Sequence, residues 1–157
     1  MSTETLFYPI NKILLPTDGS EHSLKAARYT VEIAKRRGST VTLLHVLEVA
    51  IVDGPLDLGK DLGFARITVE DEKKIKERAL KVMERTKEIF DKASIPIELK
   101  YVCCGKPAES IVNLAEKGNF NLIVIGHRGV RGAKHALLGS VAEKVCRNAP
   151  CPVLVVR

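Results

Sequence analysis

The chain has 157 residues, 45% of them hydrophobic and 28% charged, with a formal net charge of +6. This is the make-up of one ordinary globular domain, residues 1–157, and it excludes collagen-like, low-complexity and disulfide-stapled chains. The opening MSTETLFYPINK lacks the basic start and apolar run of a signal peptide, and no apolar stretch approaches the roughly 20 residues that span a bilayer; a cytoplasmic protein without a membrane segment is expected.

In chain order, Lys12 to Thr17 reads as a short apolar strand, and Leu24, Ala27, Val31 and Ala34 then recur at helical spacing up to Gly38. Val41 to Val46 reads as a second strand, followed by an irregular stretch from about Leu47 to Ala65, broken by Gly54, Pro55, Gly59 and Gly63 and read as a loop, a lid or an insertion. The spacing of Ile75, Ala79, Val82, Met83, Thr86, Ile89 and Phe90 predicts a long amphipathic helix over 68–93, its Lys and Glu residues forming a solvated face. A third strand over 97–102 leads to a helix opened by Pro107 and stopped by Gly118, and Leu122 to Ile125 makes a fourth strand. Ser140 and Glu143 have the spacing of a capping box for a last helix, and Cys151 to Val156 forms the final strand. Strands that alternate with helices and are almost continuously apolar imply a parallel sheet covered on both faces, the α/β, doubly wound, Rossmann-like class.

The cysteines carry little chemistry. Without a secretory signal all four are expected to stay reduced, and neither the adjacent Cys103 and Cys104 nor the pair Cys146 and Cys151 has the C-x2-C spacing of a structural zinc site.

In such sheets ligands bind beyond the carboxyl ends of the strands, which singles out two loops. One is Pro16-Thr17-Asp18-Gly19-Ser20; the other runs from Gly126-His127-Arg128-Gly129 to Gly139-Ser140-Val141 at a helix start. Phosphate oxygens need converging donors with no side chains in the way, which glycines and a helix N-terminus supply. Arg128, Arg131 and Lys134 offset anionic charge, and residues 105–157 carry eight Lys and Arg against three Glu. The plainer reading is equally open: the glycines turn the chain and Ser140 caps its helix. Asp18 could accept from a ribose or adenine or help hold magnesium, yet with Glu21 three residues on, it is more simply an N-cap. Neither G-x4-GK[ST] nor G-x-G-x-x-G is present.

Ile13-Leu-Leu-Pro-Thr-Asp-Gly-Ser20, Leu44-His-Val46 and Gly126-x2-Gly129-x9-Gly139-Ser140 together resemble the universal stress protein family, and the last spacing resembles its ATP-binding branch. The resemblance implies a five-stranded sheet in the order 3-2-1-4-5 and an ATP or AMP ligand, with or without magnesium. It implies that Pro16, Thr17 and Asp18 meet the adenosine part, that the Val41 backbone meets adenine, and that Gly126, Gly129, Gly139, Ser140 and Val141, with Arg128 less firmly, surround ribose and phosphates. It further implies a homodimer through the C-terminal strand and a regulatory role in stress response through a protein partner yet to be identified.

Three other functions compete. A slow ATPase or phosphotransferase would need a group to activate water, and the sequence offers no paired carboxylates near the glycine loop; His22, His45, His127 and His135 suggest no catalytic constellation. Nucleic-acid binding is disfavoured, because aromatics make up 4% of the chain and none accompanies the basic cluster. A dimer acting through protein contacts without nucleotide would have no use for the intact glycine spacing.

Overall fold

The computed structural model describes residues 8–48, 69–103, 105–130 and 137–157. Five strands, β1 (Lys12–Pro16), β2 (Thr40–Leu47), β3 (Ile97–Cys103), β4 (Leu122–Gly126) and β5 (Val153–Val156), form one sheet. Between them lie α1 (Glu21–Arg37), α2 (Val69–Lys92), α3 (Pro107–Lys117) and α4 (Ser140–Asn148). All pairings are parallel and the order is β3-β2-β1-β4-β5, so the chain reverses its direction of travel across the sheet between β1 and β4.

The period-two alternation of side chains assigns the core to two layers. Ile13, Leu15, Val41, Leu43 and Val124 point to the face covered by α1 and α2, where Ala27, Val31, Ala79, Met83 and Phe90 meet them. Leu14, Leu44, Ile123 and Ile125 point to the other face, against Ala108, Ile111, Ala115, Ala142 and Val145 of α3 and α4. Residues buried on both sides of a strand read as unbroken apolar runs, which explains ILLP and LIVI in the sequence.

The helix starts differ from expectation by one or two residues. Ser20, not Asp18, is the N-cap of α1: its hydroxyl accepts from the Ser23 N–H at 3.2 Å, leaving the Asp18 carboxylate for other partners. Gly139, not Ser140, is the N-cap of α4, so Ser140 is the first helical residue and no side chain caps this helix. Consequently the Ser140–Glu143 capping box does not form; Glu143 instead pairs with Arg147 at 2.8 Å. The 47 to 65 loop lies almost wholly outside the described residues, as do Arg131, Lys134 and His135.

Candidate functional site

Because β1 and β4 are neighbours and their following helices cover opposite faces, the loops after them diverge at the carboxyl edge of the sheet. A cavity of about 850 Å3 opens there, within the range of small-molecule sites. Its wall includes Pro16, Thr17, Asp18, Gly126, Arg128, Gly129, Gly139, Ser140 and Val141, so nine of the ten residues singled out in the sequence come together. Val41 does not join them. It is buried at the amino end of β2, paired with Ile13 and Ile97, and the eight-residue length of that strand brings Val46 and Leu47 to the cavity instead.

Asp18 fastens the two loops to each other. One carboxylate oxygen accepts from the Ser20 N–H at 3.0 Å and the other from the Val130 N–H at 2.8 Å, across 112 residues of chain. Gly129 makes this possible, since a Cβ there would stand 2.5 Å from the Asp18 Oδ2. Gly126 has a similar origin: a Cβ would fall 2.8 Å from the backbone carbonyl carbon of His22. The glycine spacing is thus required by packing between the two loops as well as by any ligand.

Thr17 serves the floor. It is 5% exposed and belongs to a buried hydroxyl chain in which Thr86 of α2 donates to Thr17, Thr17 to Ser23 at 3.1 Å and Ser23 to the Ser20 carbonyl at 2.7 Å. The Thr17 carbonyl accepts from His45 Nδ1 at 2.8 Å, which fixes that ring at the cavity wall. Thr86 had been legible only as part of an apolar helix face, and Ser23 gave no signal.

At the other wall, the Gly139 N–H donates to the His127 carbonyl at 2.6 Å, drawing the start of α4 against the β4 loop. The first intrahelical bond is Glu143 N–H to Gly139 O, and no side chain caps the first-turn N–H groups of Ser140, Val141 and Ala142, residues that line the cavity. Those N–H groups and the helix dipole suit an anion. His127 packs edge-on against His22 with ring centroids 4.5 Å apart, and burial together with that neighbour holds its pKa below the ordinary value of 6.5. Two cations of α2, Arg78 and Lys81, also line the cavity; the sequence had assigned them to a solvated face. Among the described residues no cluster of three or more His, Cys, Asp or Glu side chains could hold a metal ion, and no helix is long and apolar enough to cross a membrane.

Comparison with known proteins places this geometry among relatives. Residues 9–157 match the pattern of the universal stress protein family. Universal stress protein YxiE of Bacillus subtilis is 36% identical over 147 residues, covering 94% of this chain and 99% of that protein. The structure of MJ0577 of Methanocaldococcus jannaschii superposes with a TM-score of 0.74 at 30% identity, covering 94% of this chain and 96% of that one. A universal stress protein of Archaeoglobus fulgidus in complex with dAMP has the same fold, with a TM-score of 0.64 at 24% identity and coverage of 96% and 100%.

Proposed function

Since the chain belongs to the universal stress protein family, we propose that it binds an adenine nucleotide, ATP or AMP, in the cleft between the Asp18 and Gly126 loops. The observation that carries this reading is the start of α4, a helix N-terminus without a side-chain cap, lining the same cavity as the carboxylate of Asp18. The first offers N–H donors to phosphate and the second an acceptor to ribose hydroxyls, at the two ends that a nucleotide presents. Apolar Leu44, Val46, Ile111 and Ile125 supply a surface for the base. The Archaeoglobus protein of the same fold is a complex with an adenine nucleotide, in keeping with this chemistry.

The nucleotide acts as a regulatory ligand rather than a substrate. Asp18 and Glu143 already have hydrogen-bond or ion-pair partners, which leaves them poorly suited to take a proton from water. Binding by one wall and not the other biases the distance between the Asp18 and Gly126 loops, and a protein partner reading that edge completes a stress-response regulator. Magnesium, where present, arrives with the phosphates.

The test is calorimetric titration of nucleotide-stripped protein with ATP, AMP and GTP in magnesium, repeated on Gly129→Val. Micromolar binding of adenine nucleotides, weakened at least about tenfold by the substitution as the added side chain pushes Asp18 aside, is the expected result. No heat from a folded wild-type protein would leave the family's protein-contact role as the function.

A further inference from the structure

Helix α2 brings positive charge to the cleft from the face of the sheet opposite α4. Arg78, Lys81 and Val82 are spaced i, i+3 and i+4, share one side of the helix and line the cavity together. Val82 fixes how close that side comes: a Cβ on Gly19 would lie 3.3 Å from the Val82 Cγ1 and 3.5 Å from its carbonyl oxygen. Gly19 adjoins Asp18, whose carboxylate carries Val130 of the glycine loop. Arg78, one turn back from that contact, and Lys81, beside it in the chain, line the same cavity.

Among the described residues neither Arg78 nor Lys81 has an ion-pair partner, whereas Arg85, one turn further along, is engaged with Glu21 at 2.9 Å. Of the acids that line the cavity, Asp18 is held by two backbone N–H groups, Glu143 by Arg147, and Glu48 has a partner of its own. Two cations outside any ion pair that line the same cavity as a helix N-terminus make a site for a multiply charged anion.

We propose that Arg78 and Lys81 bind the terminal phosphates of the nucleotide, so that α2 distinguishes a triphosphate from a monophosphate. This rests on the nucleotide reading above and assigns to it a second wall: the loops and α4 hold what ATP and AMP share, and α2 holds what only the longer ligand has. Discrimination between the two nucleotides then belongs to a helix outside the glycine motif. Such contacts between free cations and phosphate also make ATP binding more sensitive to salt than AMP binding.

The experiment titrates ATP, ADP and AMP into wild type, Arg78→Gln, Lys81→Gln, the double variant and Arg85→Gln, at two salt concentrations. Both lining residues are exposed, so the variants keep the fold, and a circular dichroism melt checks it. The expected result is a loss of ATP affinity of about tenfold per cation, less than about twofold for AMP, and a flatter salt dependence for ATP in the double variant. Arg85→Gln is expected to match wild type. Equal losses for ATP and AMP, or unchanged ATP binding in the double variant, would overturn the proposal while leaving the nucleotide reading intact. A wild-type protein that binds neither ligand overturns both.

Discussion

At Asp18 a single side chain decides the shape of the cleft, and its surroundings explain why neighbouring positions tolerate so little. Its two oxygens hold backbone on both loops, and Gly129 leaves it the room to do so. His127, on the same β4 loop, has a different effect. Burial, then the His22 ring, then Arg128 and Arg157 oppose its protonation, against one favourable bond to the Val156 carbonyl. The folded protein therefore holds His127 neutral where the unfolded chain, with an ordinary value of 6.5, would take up a proton. The stability this contributes is complete above pH 6.5 and is lost as the pH falls from there through the lowered folded pKa. Thermal melts between pH 7.5 and 5 are expected to show a drop in Tm that His127→Gln reduces; an identical pH profile in the variant would show that other groups cause it.

Among the elements, α2 depends on its buried side and gains little from its charges. Ala79, Met83, Thr86 and Phe90 are fully buried, while the Arg85–Glu21 pair is largely exposed on both sides. Phe90→Ala is expected to cost about 3–5 kcal/mol and Arg85→Ala less than about 1 kcal/mol, as read from urea denaturation. The apolar period of this helix was visible in the sequence because burial imposes it, so its bounds of 69–92 come within a residue of those read from spacing. Which polar side chains of the same helix meet the cleft was not visible, because residues 78 and 81 carry the same pattern as any solvated face and only the packing of α2 beside Gly19 distinguishes them. The helix starts show a similar limit. Asp18, Gly19 and Ser20 compete before α1, and Gly139 and Ser140 before α4, and choosing the capping residue needs the backbone angles that the loops impose.

For the whole molecule, the strand order followed from the family resemblance, and the alternation of apolar strands and helices had already required a parallel sheet with two covered faces. The cleft was legible for the same reason: strands of this topology leave their carboxyl-end loops diverging at one edge, and the glycine-bearing loops had to lie there. Val41 was the exception. Pairing register and strand length determine which β2 residue reaches that edge, and neither can be counted from an apolar run alone. The far edge of the sheet carries a further expectation. Val153, Leu154 and Val155 of β5 are only partly buried on a strand that, among the described residues, is paired on one side alone, a surface that a second copy would cover. Light scattering is expected to give a dimer mass, and Leu154→Asp to shift it to the monomer; a monomer mass in wild type across a wide concentration range would exclude that interface.

The carboxylate that ties Val130 to the first loop still has lone pairs to offer, since each oxygen can accept more than one hydrogen bond. A hydroxyl arriving in the cleft therefore adds to the tie without having to break it. A guest's contact and the contact between the loops would then meet at one carboxylate, and whatever coupling arises between them in affinity is reciprocal.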